Sequence, residues 1–73
     1  MPELARFFGM IVTIFYDDHP PPHFHVRYVI DGHLPPRALG MIMEWGARHR
    51  AELTEAWALA ARHAPLKPIA PLE

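Results

Sequence analysis

The sequence predicts an α+β domain: a small antiparallel sheet of two to three strands packed against one long C-terminal helix, followed by an extended proline-rich tail. Three observations carry that expectation. Residues 9–16 are a run of β-branched and aromatic side chains, the composition of a strand. Residues 23–28 alternate with period two. Residues 36–63 repeat apolar side chains at helical spacing, with prolines at both boundaries. The 73 residues make one domain, 1–73. It divides into an N-terminal segment (1–8), a β-hairpin (9–30), the helix (36–63) and the tail (64–73).

In the first strand Ile11, Thr13 and Phe15 share one face, and Met10, Val12, Ile14 and Tyr16 the other. Both faces are largely apolar, so both call for cover: the helix on one, a partner subunit on the other. Asp17 to Pro22 ends the strand, because three consecutive prolines donate no ladder hydrogen bonds. The second strand, antiparallel to the first, turns Phe24, Val26 and Tyr28 inward and His23, His25 and Arg27 outward. Asp31-Gly32 is a turn signal, and Pro36 fits the first turn of a helix. Leu39, Ile42, Met43, Gly46, His49, Leu53, Trp57 and Ala60 form the expected apolar stripe. Glu44–Arg48 and Arg48–Glu52 are spaced as i,i+4 pairs on the solvated face. Pro65 stops the helix near His63. In the tail, Pro65, Pro68 and Pro71 recur every three residues, as do Leu66, Ile69 and Leu72. That is the period of polyproline II, with one apolar edge to dock on its own domain or on a neighbouring subunit.

A core this small supplies roughly 3–5 kcal/mol, and small scaffolds usually carry a staple. There is no cysteine, so neither a disulfide nor a cysteine-ligated zinc is available. A metal held by His and Asp, or oligomerisation, remains. The net charge of −1 excludes a generally basic nucleic-acid coat protein while leaving room for a local basic patch. No leader is visible, and the apolar run from Phe7 to Tyr16 is too short for a bilayer. The expectation is a cytoplasmic protein with no membrane partner.

The chemically loaded segment is Asp17-Asp18-His19-Pro20-Pro21-Pro22-His23-Phe24-His25. It gathers three imidazoles and two carboxylates, and three readings compete. His19, His23 and His25 could hold a divalent transition metal, since imidazole and carboxylate suit zinc, nickel, iron or manganese. His23 and His25 beside Arg27 could instead hold a scissile phosphate as base, acid and charge stabiliser, as a metal-independent ribonuclease requires. The plainest reading is structural: the imidazoles stack on prolines and bridge to Asp17 or Asp18. In the catalytic and binding readings no cofactor is called for. Binding roles fall on His19, Asp17, Asp18, Arg6 and Trp45, with Trp45 read as an interface anchor and Trp57 as core. His49 reads as a satisfied core or boundary histidine, and His33 and His63 as surface residues. No phosphate-binding glycine loop, nucleophile elbow or dinucleotide fingerprint is present.

Several stretches together resemble a small bacterial domain-of-unknown-function family: Met1-Pro2-Glu3-Leu4-Ala5-Arg6-Phe7-Phe8-Gly9, Asp17 to Val26, Leu34-Pro35-Pro36-Arg37-Ala38-Leu39, Glu44-Trp45, His49 and Glu52-Leu53. The resemblance implies no reaction. It implies genes beside a second small uncharacterised domain, a pairing sometimes grouped with candidate toxin–antitoxin systems. A partner-binding role follows as an expectation, with a homo-oligomer or a small protein from an adjacent gene as partner, RNA as another, and function on His19, His23 and His25. Family members continue after the second strand with a further strand and turn; here Tyr28 runs straight into Val29, about a dozen residues short. Either this chain is a shortened member or a strand and turn are left out at that junction, and the expectation favours the omission, which a chain break there would mark.

Overall fold

The computed structural model describes residues 2–72; Met1 and Glu73, the outer ends of the N-terminal segment and the tail, lie outside the described residues. Three strands, β1 (Glu3–Phe7), β2 (Met10–Thr13) and β3 (His25–Tyr28), form one antiparallel sheet in the order β1-β2-β3. Two helices follow, α1 (Pro36–Arg48) and α2 (Arg50–Ala61).

The third strand comes from the N-terminal segment, which the sequence left without an element. Phe7 faces Met10, so Phe8 and Gly9 alone make the β1–β2 loop. Both have positive φ, 47° and 80°, as a primed two-residue hairpin turn requires. The register of β1 slips between Glu3 and Ala5, so Leu4 and Ala5 are both buried although adjacent. That irregularity erased the period-two pattern by which the strand would have been recognised.

No break separates Tyr28 from Val29. The chain passes directly from β3 into Val29, whose N–H donates to the Gly9 carbonyl at 2.8 Å. One hydrogen bond next to the β1–β2 loop ties the junction down.

The inner face of the sheet carries Ala5, Phe7, Met10, Val12 and Ile14, with Phe24, Val26 and Tyr28 packed alongside. Against it α1 lays Ala38, Ile42 and Trp45, and α2 lays Ala56 and Ala60. Leu39 and Met43, expected on the buried stripe, are exposed instead. The true stripe sits one position earlier on α1. Alanines at 38, 56 and 60 let the helices approach closely, and Trp45 fills the space they leave. Trp45 is fully buried, against Phe7 (ring centroids 5.5 Å apart) and edge-to-face with Phe24 (5.9 Å). Its indole N–H donates to the Ala70 carbonyl at 2.8 Å. The expected role of Trp45 as an interface anchor is thus corrected: it is at the centre of the core, while Trp57 packs against that core half-buried.

The outer face carries Glu3, Arg6, Ile11, Thr13, His25 and Arg27, as their pairings with β2 dictate. Ile11 lies in register between Arg6 and Arg27 and is only 5% exposed. That cover is supplied within the single chain.

The expected single helix over 36–63 is two. His49 separates them with φ −114° and ψ 28°, although its N–H still reaches the Trp45 carbonyl and Leu53 still bonds His49. The tail folds back on its own domain. The Ile69 N–H donates to the Leu4 carbonyl at 2.8 Å, and Ile69 and Leu72 join the core. This contact occupies part of the outer edge of β1, which would otherwise offer unpaired backbone groups.

Candidate functional site

Past β2 the chain must turn, and Asp17 takes the left-handed conformation (φ 54°) that Asp tolerates better than most residues. Its carboxylate Oδ2 contacts Nε2 of His63, and the His63 ring stacks on Tyr16 with centroids 5.3 Å apart. The loop is thereby fastened to the C-terminal end of α2.

Asp18 points the other way. Its side chain is only 11% exposed, and its Oδ1 accepts the His19 N–H at 2.8 Å. Its Oδ2 stands 2.9 Å from His23 Nε2 and 3.0 Å from His25 Nε2. The His25 ring is held by stacking on Phe15 at 4.1 Å, and the His23 ring packs on Trp57 of α2 at 5.1 Å. The two imidazoles meet edge to face at 5.1 Å. His19 stays outside: its ring is 4.9 Å from His23, but its Nε2 is 3.7 Å from Asp18 Oδ1 and its side chain is 80% exposed. The ligand atoms of Asp18, His23 and His25 all lie within 4.8 Å of one another.

Hydrogen bonding fixes one tautomer. His23 Nδ1 lies 2.7 Å from the Pro21 carbonyl oxygen, which only accepts, so Nδ1 carries a proton. His23 Nε2 then faces the carboxylate. That nitrogen and the Asp18 oxygen, 2.9 Å apart, both present lone pairs to the space between them, where a cation would be met by both. The Asp18 carboxyl is held below its ordinary range, first by the hydrogen bond from His25, then by the His19 N–H and the neighbouring imidazoles, against partial burial that pushes it up.

The other sequence candidates lie elsewhere. Arg27 is exposed on the outer face beside Ile11, on the same face as His25. Arg6 forms a two-point contact with Glu3, at 2.8 and 3.2 Å. Trp45 is enclosed in the core and is no interface anchor. His49 pairs with Glu52 at 2.6 Å, while Arg48 takes Glu44. His23 belongs to the approach to β3 rather than to the strand, and its ring turns toward α2 rather than to the outer face with Arg27. Asp18 was legible only as one of two adjacent acids, and Trp57 only as a core residue. A groove of about 380 Å³ opens beside His23, lined by Trp57, Phe24 and Arg50 among others.

Among the described residues no helix is long and apolar enough to cross a membrane. No curated protein and no solved structure matches the chain. Residues 28–58, from the last residue of β3 through most of α2, match the family model of a domain of unknown function (DUF4160), which supports a likeness to a small domain-of-unknown-function family.

Proposed function

We propose that the chain is a metal-binding module in which Asp18, His23 and His25 hold a divalent transition-metal ion. The observation that carries this reading is the convergence of one carboxylate oxygen and two imidazole nitrogens within 4.8 Å, with the far nitrogen of His23 already committed to a backbone carbonyl. That commitment is the usual outer-shell arrangement of a ligating histidine: it fixes the ring and aims Nε2 at the ion. Two nitrogens and one oxygen suit zinc, and three protein ligands leave a position open for water or another ligand. A metal so held would act as a Lewis acid toward an oxygen placed at that position. His19, largely exposed and 3.7 Å from Asp18 Oδ1, is left out of the ligand set.

The cation reading is favoured over the ribonuclease reading by what stands between the two imidazoles. Asp18 Oδ2 occupies the place where a scissile phosphate would need to sit, and it is an anion.

Elemental analysis and zinc titration of untagged protein test the proposal. Near-stoichiometric zinc that is lost in Asp18→Asn and in His23→Ala supports it. Wild-type protein that binds no more zinc than an Asp18→Asn/His23→Ala/His25→Ala variant overturns it and leaves a loop braced by ion pairs.

A partner-binding role is a second reading, favoured by exposed apolar side chains. Phe8, Val29 and Ile30 are exposed around the β1–β2 loop, and Leu39 and Met43 lie one turn apart on α1. Light scattering of wild type and of Ile30→Glu tests it; a concentration-independent monomer that fails to co-purify with the adjacent gene product removes it.

A further inference from the structure

The groove beside the cluster shares only His23 with it and has a chemistry of its own. Phe24, Leu53, Ile14 and Trp57 give it apolar and aromatic walls. Arg50, at the start of α2, is the only arginine or lysine that lines it. Among the described residues Arg50 has no ion-pair partner, whereas Arg6, Arg48 and Lys67 each hold a carboxylate. No Asp or Glu lines the groove to neutralise it. On the α1 side the wall is Gly46, where an added Cβ would meet only Phe24, at 3.6 Å. The width of the groove there depends on the missing side chain.

The volume of about 380 Å³ falls within the usual range of small-molecule sites. Aromatic walls favour a flat apolar body, and an uncompensated guanidinium favours a carboxylate that it can meet with two N–H groups. We propose that this groove binds a small aromatic carboxylate of roughly ten to fifteen non-hydrogen atoms, its ring between Phe24 and Trp57 and its carboxylate on Arg50. A cationic ligand is disfavoured by Arg50, and a neutral one leaves the guanidinium unanswered. The proposal requires no metal, so it stands or falls separately from the reading of the cluster.

Titration of 2-naphthoate into ¹⁵N-labelled protein, in excess EDTA and at low salt, tests it, with neutral 2-naphthamide as the matched control. The expected result is a dissociation constant of about 0.1–1 mM for the carboxylate. Shifts should centre on Gly46, Phe24 and the Trp57 indole. The amide should bind about three- to tenfold more weakly, and Arg50→Gln should bring the two ligands within about twofold of each other. Gly46→Leu should abolish binding of both; the Arg50→Gln comparison keeps the test decisive if that variant folds poorly. Equal affinity for carboxylate and amide in the wild type, shifts centred elsewhere, or no saturable binding overturns the proposal.

Discussion

Zinc added to metal-free protein should raise its unfolding temperature, by an amount that follows from the arrangement at Asp18. Ligands about 2.0–2.1 Å from a tetrahedral zinc stand about 3.3 Å from one another. The Asp18–His23 and Asp18–His25 separations are 2.9 and 3.0 Å, so these two pairs need open by only a few tenths of an ångström. At free zinc a hundredfold above the dissociation constant, binding to the folded state alone adds about 2.7 kcal/mol. In a domain of this length each kcal/mol raises the midpoint by about 4–8 °C, which gives about 11–22 °C. That increment is comparable to the roughly 3–5 kcal/mol expected of the whole core. At the same zinc concentration Asp18→Asn, His23→Ala or His25→Ala should retain about half of the shift or less, if each weakens binding by at least about tenfold. Circular dichroism melts at neutral pH, with EDTA and magnesium controls, provide the measurement. The shift should shrink on acidification, since the ligands bind metal only when deprotonated. A wild-type shift no larger than that of the triple variant would refute the reasoning.

Three further outcomes are expected. Because the Asp18 carboxyl is held low in the folded state, its contribution is complete above the ordinary Asp pKa and lost as pH falls through the lowered value; the difference in melting temperature between wild type and Asp18→Asn, measured without metal, should shrink as pH falls below the ordinary Asp range. Trp45→Phe loses the bond to Ala70 and part of a fully buried ring; urea titration should show a loss of about 2 kcal/mol. Gly9→Ala forces a Cβ onto a backbone at φ 80°, 3.0 Å from Ile30 Cδ1, and should cost about 1–2 kcal/mol in the same assay.

The parts of the fold that were legible are those where local pattern and tertiary environment agree. Alternation placed Phe24, Val26 and Tyr28 against the core because β3 pairs with β2 in unbroken register. β1 was hidden by its slip at Leu4, which turns an alternating strand into adjacent buried residues. The helical stripe was misjudged by one position. Residues three and four apart lie on neighbouring lines of a helix, and only the small alanines at 38, 56 and 60 reveal which line touches the sheet. The candidate site was legible as a segment and not as a geometry. Sequence spacing marks Asp17 and Asp18 as equivalent acids. The left-handed turn at Asp17 makes them opposite, and no local pattern announces that His63, 46 residues away, is waiting for one of them.

That opposition has a mechanical consequence. Two carboxylates joined by one peptide bond grip different parts of the chain: Asp17 holds the end of α2 through His63, and Asp18 holds the approach to β3 through His23 and His25. The Asp17-Asp18 pair therefore acts as a rivet through two layers, and neither layer lifts without straining the other. In hydrogen exchange, the amides of the last turn of α2 and those leading into β3 should open as one cooperative unit, although residues 26–57 lie between them.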